Sequence, residues 1–142
     1  MQKSIAIVLL AVVAFSVTPS SAAEMPTFET QAVKIRAEIV ADGLQNPWGL
    51  DFLPNGEAIV TERPGRIRIL TKDGLSEPLE GIPVVRARGQ GGLLDIAVAL
   101  DFATSGTVFF SYSEPGSGGA GTALARAKLI RDDRAGRLDD VE

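Results

Sequence analysis

The chain has 142 residues and a formal net charge of −4, and it contains no cysteine and no histidine. The lack of cysteine excludes disulfide bonds and thiolate metal sites, and the lack of histidine removes the commonest general base and the commonest transition-metal ligand. A mildly acidic chain without a basic tract also argues against a nucleic-acid partner, because phosphate binding depends on clustered lysine and arginine.

Residues 1–23 have the organisation of a secretory signal peptide. Lys3 supplies a positive N-terminal region, residues 5–17 form an uninterrupted apolar run, and small residues lead up to Ala23. The apolar run is shorter than the roughly 20 residues that a membrane span requires, and helix-breaking Pro19 follows it. We therefore expect cleavage after Ala23, a periplasmic or secreted mature chain, and no membrane span after cleavage. An uncleaved membrane anchor is the alternative.

Beyond the signal peptide, the hydrophobic pattern predicts β-structure. Residues 24–32 have no clear period and are predicted to be a disordered leader, so the folded domain is assigned to residues 33–142. Apolar and polar residues alternate over residues 33–39, which is typical of a half-buried strand. Three short apolar segments joined by turn residues complete a predicted four-stranded antiparallel sheet: residues 48–53, 57–63 and 66–70.

A second sheet is predicted on the same plan. Its strands are assigned to residues 93–100, 106–114 and 122–130. The glycine-rich segment of residues 115–121 is predicted to be a flexible loop between the last two strands. The polar closing segment is predicted to be a turn followed by the start of another strand.

The two predicted sheets are related as sequence repeats. Residues 48–54 align with residues 94–100, and Ile59 aligns with Phe109, an offset of 46 to 50 residues. This spacing is typical of β-propeller blades, and about two blades cannot close a ring that needs four to eight. The predicted fold is therefore all-β, the N-terminal part of a propeller of four-stranded antiparallel sheets within a longer protein. A free-standing β-sandwich is the alternative, and the repeat argues against it.

Four motifs follow one another in a distinctive order: "PWGLDFLPNG", "VTERPGR", "GQGGLLD" and "SYSEP". With these motifs, residues 33–142 resemble the glucose/sorbosone dehydrogenase family, and in particular its soluble aldose sugar dehydrogenases that use pyrroloquinoline quinone (PQQ). The resemblance implies a six-bladed β-propeller with PQQ in a cleft at the top of the central channel and calcium activating it. One departure is Ala99-Leu100, where many relatives carry His-Pro, and we expect that place to be structural.

The resemblance also implies a reaction and its partners. An aldose is oxidised at its anomeric carbon to a lactone by hydride transfer to the quinone, and a periplasmic acceptor takes the electrons. The family's histidine base is expected beyond Glu142, as are most ligands of PQQ and calcium, so we assign no catalytic and no metal-binding residue within this chain. Residues 1–142 alone are expected to be inactive. The alternative is a propeller module that binds carbohydrate or protein without catalysis, and the downstream sequence would discriminate the two.

Gln90 is the candidate substrate- or cofactor-binding residue. It lies among the glycines of "GQGG", immediately before an apolar strand, and loop residues on a rigid scaffold often carry function. By the resemblance, Gln90 falls in the active-site rim, where its amide offers a donor and an acceptor to a polyhydroxylated ligand. The alternative is a turn glutamine that satisfies loop backbone groups. Arg86 and Arg88 are candidates to attract the carboxylates of PQQ, although solvated surface charge is the favoured interpretation.

Several other residues are predicted to have structural roles. Glu62 and Arg63 are expected to pair and fix a turn. Asp51 and Asp95 are interpreted as equivalent positions of the two repeats that accept hydrogen bonds, rather than as an acid–base pair. Trp48 is predicted to be a core anchor between blades rather than a stacking platform for sugar.

The aromatic residues of the second sheet are also predicted to pack rather than to bind ligand. Because successive strand residues point to opposite faces, Phe110 and Tyr112 are expected on one face and Phe109 on the other.

Overall fold

The structure is a computed structural model that describes residues 26–131 and 136–142. The described residues fall into two compact units, with the division between Glu38 and Ile39. The predicted signal peptide lies outside the described residues. Within the part of the chain that is described, no helix is long and apolar enough to cross a membrane.

The first unit contains a β-hairpin. Strand β1 (Thr27–Glu29) pairs antiparallel with β2 (Lys34–Arg36), and the Thr30 hydroxyl donates to the Val33 carbonyl at 2.6 Å in the turn. Strand β1 falls inside the predicted disordered leader, so that prediction does not hold for its three residues. The half-buried strand predicted over residues 33–39 is also wrong, because β2 is shorter and all three of its residues are exposed. Alternation indicated a strand, but two paired strands alone cannot bury a face.

The second unit consists of two four-stranded antiparallel sheets, and their strand orders follow the chain. Sheet 1 contains β3 (Pro47–Phe52), β4 (Ala58–Glu62), β5 (Arg66–Thr71) and β6 (Gly74–Leu75). Sheet 2 contains β7 (Leu93–Val98), β8 (Thr107–Gly116), β9 (Gly119–Arg131) and β10 (Gly136–Asp139), with helix α1 (Phe102–Ser105) between β7 and β8. The predicted class of four-stranded antiparallel sheets is confirmed.

Three local predictions differ from the structure. The fourth strand of sheet 1 is β6 rather than residues 33–39, and a two-residue strand gives no alternation to detect. Helix α1 was not predicted, because four residues are too short for a helical period. The flexible loop predicted over residues 115–121 is mostly strand, since Gly116 pairs with Gly119 across a two-residue turn. Gly119 has a φ of 143°, so glycine here permits a tight hairpin instead of a flexible loop.

The predicted repeat is present, and a β-bulge in each sheet fixes its alignment. The register shifts between Pro47 and Leu50 in sheet 1 and between Leu93 and Ile96 in sheet 2. Leu50 pairs with Val60, and Ile96 pairs with Phe110, so the first strands are offset by 46 residues and the second strands by 50.

This alignment corrects the predicted equivalence of the two aspartates. Asp51 corresponds to Ala97, and Asp95 corresponds to Gly49. Both carboxylates nevertheless accept strand N–H groups. Asp51 Oδ2 accepts from Val98 at 2.7 Å, and Asp95 Oδ1 accepts from Ile96 at 3.0 Å. Their interpretation as structural acceptors therefore holds, with strands rather than turns as donors.

The two sheets share one hydrophobic core. From sheet 1 it contains fully buried Ile59, Ile67 and Ile69, and from sheet 2 it contains Val108 and Phe110. Burying an aliphatic or aromatic side chain of this size contributes about 1.5–3 kcal/mol. The core therefore stabilises the contact between the two sheets.

A buried hydroxyl joins the two bulges inside this contact. Thr61 Oγ1 accepts the N–H of Gly49 at 2.8 Å and donates to the carbonyl of Leu94 in sheet 2. The strands approach so closely that a Cβ on Gly49 would lie 2.8 Å from Asp95 Oδ1 and 3.0 Å from its Cα. Sheet 2 has a hydroxyl at the equivalent position, because Ser111 Oγ accepts the N–H of Asp95 at 3.2 Å.

The outer faces of the pair of sheets carry large exposed apolar side chains. Trp48 and Phe52 are 53% and 64% exposed on sheet 1, and Leu124 is 74% exposed on sheet 2. Trp48 therefore does not contribute to the core between these two sheets. Strand alternation directs its neighbour Gly49 toward sheet 2 and Trp48 away from it.

We expect residues 24–142, expressed alone, to self-associate, because both outer faces expose apolar surface. Size-exclusion chromatography with light scattering would show oligomers or aggregates, and the variant Phe52→Lys/Leu124→Lys would reduce them. A monomer with a cooperative thermal transition and dispersed amide resonances would contradict this prediction.

We also expect Thr61→Val in the full-length protein to lower the free energy of unfolding by about 1–3 kcal/mol, because it leaves the Gly49 N–H and the Leu94 carbonyl buried without partners. Urea denaturation measures the change. The control is Thr71→Val, whose hydroxyl donates in an exposed turn. If both variants lost the same free energy of unfolding, the Thr61 hydroxyl would contribute no more to stability than an exposed one.

Candidate functional site

The loop of residues 86–92, called the Gln90 loop below, leads directly into β7. Its backbone is folded on itself, since the Gly91 N–H donates to the Arg88 carbonyl at 3.0 Å and the Arg88 N–H donates to the Arg86 carbonyl at 3.1 Å. Gly89 has a φ of 59°, a left-handed conformation that glycine adopts readily. The predicted turn around Gln90 is therefore present, at the end of sheet 2 where β7 begins.

Arg63 of sheet 1 binds this loop. Its Nη1 donates to the carbonyl of Gly89 at 2.8 Å and to that of Gly91 at 3.2 Å. The Arg63 carbonyl in turn accepts the N–H of Leu93 at 2.9 Å. A Cβ on Gly92 would lie 2.4 Å from the Arg63 carbonyl oxygen, so only glycine admits this approach. The Gln90 loop is thus attached to the turn between β4 and β5.

Sheet 2 holds the other side of the loop. The Ser113 N–H donates to the Gly92 carbonyl at 2.8 Å, and Ser113 Oγ accepts the Gly92 N–H at 3.1 Å. The Arg86 N–H donates to the Ser113 carbonyl at 2.8 Å, and Arg86 Nη1 donates to the Gly119 carbonyl at 3.2 Å. The loop is therefore fixed from both sheets, although every side chain from Arg86 to Gln90 is exposed.

The Gln90 amide takes no part in this network. Within the described part of the chain, no hydrogen bond engages its side chain, and the loop carbonyls on either side of it are bound by Arg63. The alternative in which Gln90 satisfies the loop backbone does not describe this structure. Arg86 and Arg88 lie on the same loop and are exposed, as expected for surface arginines.

A partly buried ion pair lies next to Arg63. The Glu62 carboxylate is fully buried, and it accepts hydrogen bonds from Arg66 Nε at 2.7 Å and Nη2 at 3.0 Å and from the backbone N–H of Gln45. The predicted pairing of Glu62 with Arg63 is wrong. Glu62 and Arg66 are register partners across the β4–β5 turn, whereas adjacent strand residues point to opposite faces.

The surroundings of Glu62 favour its charged form. Burial of the carboxylate opposes ionisation, but the hydrogen bonds from Arg66 and Gln45 outweigh that effect, and the pKa of Glu62 lies below its ordinary value. Ionised Glu62 therefore stabilises the turn that carries Arg63.

Tyr112 supports the same end of sheet 2. Its ring lies 5.9 Å from that of Phe110, centroid to centroid, which confirms that the two share one face of β8. Its hydroxyl donates to Glu114 Oε1 at 3.2 Å, and burial together with the Glu114 charge raises the pKa of Tyr112. The phenol therefore stays neutral and structural.

Sequence reasoning missed the role of Arg63. The available signal was its position, since Arg63 directly follows β4 and precedes the "PG" turn at the end of sheet 1. The end of a strand is where turns from neighbouring sheets meet. The loop partners of Arg63 lie 26 and 28 residues away, however, and no local pattern connects them.

A separate groove lies at the opposite end of sheet 1. It has a volume of ≈ 510 Å³ and is lined by residues including Phe52, Gly56 and Leu70. It adjoins the turn between β3 and β4, whereas Arg63 lies at the other end of β4. This groove is therefore not part of the candidate site.

Comparison with known proteins gives consistent matches. The family model for glucose / sorbosone dehydrogenase matches residues 44–142. The aldose sugar dehydrogenase YliI of Escherichia coli strain K12 is 46% identical over 101 residues, covering 69% of this chain and 27% of that protein.

Solved structures are similar as well. A crystal structure of glucose dehydrogenase aligns with a TM-score of 0.68 at 49% identity, covering 72% of this chain and 30% of that one. The PQQ-bound form of an aldose sugar dehydrogenase from Streptomyces coelicolor aligns with a TM-score of 0.59 at 28% identity, covering 72% and 31%. The chain thus spans between a quarter and a third of the length of these relatives.

We expect Glu62→Gln to lower the free energy of unfolding at neutral pH by about 1–3 kcal/mol, because the charge-assisted hydrogen bonds that the buried Glu62 carboxylate accepts are lost. The folded-state pKa is depressed, so this stabilisation is complete above the ordinary value of 4.5 and is lost as the pH falls through the folded-state pKa.

Urea denaturation of the full-length protein across this pH range measures the effect. The gap between the wild type and Glu62→Gln should be constant above pH 4.5 and should close in stronger acid. Glu77→Gln, at an exposed carboxylate, supplies the baseline. A gap that widens on acidification would mean that burial, not hydrogen bonding, controls this carboxylate.

Proposed function

Because the chain belongs to the glucose/sorbosone dehydrogenase family, we propose that it forms the first two blades of an exported, PQQ-dependent aldose sugar dehydrogenase. Sheets 1 and 2 are these blades, and further blades beyond Glu142 complete a six-bladed ring. The enzyme oxidises an aldose to its lactone. The proposal is supported by the family match and by the similarity to a PQQ-bound aldose sugar dehydrogenase.

The observation that carries the proposal for this chain is the exposed, rigidly supported Gln90. Its loop is fixed by hydrogen bonds from both sheets, yet its amide is free to bind a ligand. One amide offers a donor and an acceptor, which matches a sugar that carries hydroxyl groups on adjacent carbons. A polar group fixed in place before the ligand arrives binds it with less loss of entropy.

The reaction removes two hydrogens from the substrate. The anomeric carbon loses a hydride, the anomeric hydroxyl loses a proton to a base, and the carbon–oxygen bond becomes the carbonyl of the lactone. PQQ, when bound, supplies the two-electron acceptor. Because residues 1–142 contain no histidine, we propose that the base comes from outside this chain, and that Gln90 acts only in binding and orientation.

The exposed arginines of the Gln90 loop suit the carboxylates of PQQ. Guanidinium groups bind carboxylates through paired hydrogen bonds, and Arg88 is exposed beside Gln90. Arg86 already donates to the Gly119 carbonyl through one of its nitrogens. Residues 26–131 and 136–142 contain no cluster of three or more His, Cys, Asp or Glu side chains that could hold a metal ion such as calcium. We therefore assign no residue of this chain to a calcium site.

We also propose that the mature protein is periplasmic or secreted and that its electrons pass to a periplasmic acceptor. The support is the signal-peptide pattern of residues 1–23, with cleavage after Ala23.

We expect the full-length protein, supplied with PQQ and calcium, to reduce a redox dye in the presence of aldoses. Gln90→Ala should lower kcat/KM about tenfold, the effect of losing one hydrogen bond to the substrate. The control is Gln31→Ala, at an exposed glutamine of the first unit.

Three results would change this conclusion. Equal kinetics in the two variants would remove Gln90 from the site. A lack of turnover with every aldose would remove the dehydrogenase activity. If calorimetry then still showed sugar binding, the protein would be a carbohydrate-binding propeller instead.

A further inference from the structure

We propose that Arg63 is a positioning residue that holds Gln90 in its ligand-binding orientation from the neighbouring sheet. This inference rests on the proposed function of Gln90. Arg63 is placed to act through Gln90, because its hydrogen bonds go to the backbone on both sides of that residue.

The guanidinium bridges the turn that carries Gln90. Nη1 donates to the carbonyls of Gly89 and Gly91, the residues immediately before and after Gln90. Glycine has the widest range of backbone conformations, so a turn of this composition is poorly defined without external restraint. The two hydrogen bonds supply that restraint at the peptide groups whose rotation would turn the Gln90 side chain away.

Arg63 is itself immobilised, which allows it to serve as an anchor. Its N–H donates to the Asn46 carbonyl at 3.0 Å, and its carbonyl accepts the Leu93 N–H at 2.9 Å. Gly92 packs against it too closely for any side chain. Next to it, the buried carboxylate of Glu62 and the partly exposed guanidinium of Arg66 fix the β4–β5 turn through their ion pair. The Gln90 loop is therefore anchored to a rigid part of sheet 1.

Replacing Arg63 by lysine distinguishes a positioning role from an effect of charge alone. A guanidinium nitrogen presents two N–H groups in a fixed plane, whereas a lysine ammonium is a compact charge on a flexible stem. Arg63→Lys keeps the charge but loses the planar geometry. If Arg63 positions Gln90, lysine should restore function only in part. If Arg63 supplies charge alone, lysine should replace it fully.

The test uses the full-length protein with PQQ, calcium and an aldose. Its variants are Arg63→Ala, Arg63→Lys, Gln90→Ala and the double variant Arg63→Ala/Gln90→Ala. The matched control is Arg68→Ala, because Arg68 Nε also donates to a backbone carbonyl, that of Ser76 at 2.7 Å, but away from the Gln90 loop. Active-site titration corrects each preparation for its fraction of folded enzyme.

We expect Arg63→Ala to raise KM about fivefold to tenfold with a smaller change in kcat, as for loss of substrate binding, and Arg63→Lys to fall between it and the wild type. The double variant should be no worse than Gln90→Ala, because a residue that acts through Gln90 has nothing left to position. Arg68→Ala should leave KM unchanged. A purely structural role would instead lower the folded fraction and add to the effect of Gln90→Ala.

Hydrogen exchange gives a readout that does not depend on activity. The Gly91 amide donates within the Gln90 loop, so its exchange should accelerate at least about tenfold in Arg63→Ala and remain unchanged in Arg68→Ala. The Leu93 amide donates to the backbone carbonyl of Arg63, which alanine retains, so its exchange serves as the internal reference. If Arg63→Ala does not fold, the kinetics and the hydrogen exchange are both measured on Arg63→Lys.

The outcomes separate the two proposals. If Gln90→Ala impairs binding but Arg63→Ala and Arg63→Lys have wild-type KM, the positioning role of Arg63 is overturned and the proposed function stands. If Gln90→Ala itself has wild-type kinetics, the assignment of Gln90 fails, and the role of Arg63 fails with it. Unchanged exchange of the Gly91 amide in Arg63→Ala would also overturn the proposal, whatever the kinetics.

Discussion

The close contact between the two sheets at their β-bulges is the constraint on which the rest of this structure depends. Gly49 brings the backbone of sheet 1 against Asp95 of sheet 2, and the Thr61 hydroxyl bonds to both sheets at that point. A larger residue at position 49 would collide with backbone atoms, so the contact admits little variation. Because this contact fixes how the sheets face each other, it also fixes which strand ends meet.

The candidate site follows from that arrangement. With the sheets held at their bulges, the turn after β4 reaches the loop before β7, and Arg63 binds the carbonyls around Gln90. Neighbouring residues supply the hydrogen bonds to the backbone of the Gln90 loop, so the Gln90 amide is not used for that purpose. The exposed Gln90 thus lies at the end of one sheet and its support lies at the end of the other, so the position of Gln90 depends on the packing between them.

Much of the fold could be predicted from the sequence, because strand alternation and turn residues are local signals. The strands β3, β4, β5, β7, β8 and β9 all lie where apolar segments bounded by turn residues indicated them. The bulges show that the repeat offset was correct. Prediction failed where a segment was short, as with β6 and α1, or where composition was ambiguous, as with the glycine-rich hairpin turn. Glycine permits both a flexible loop and a tight turn, and only the pairing of β8 with β9 selects the second.

The sequence by itself determined the all-β class, the repeat and the position of Gln90 in a turn before a buried strand. Each of these follows from residues that are neighbours along the chain. Only the tertiary structure decided that Glu62 pairs with Arg66, that Trp48 faces away from the core, and that Arg63 supports the Gln90 loop. These depend on register across a turn, on which face of a strand meets the other sheet, and on a contact between segments 26 or more residues apart. No local pattern carries that information, because it arises only when the two sheets pack.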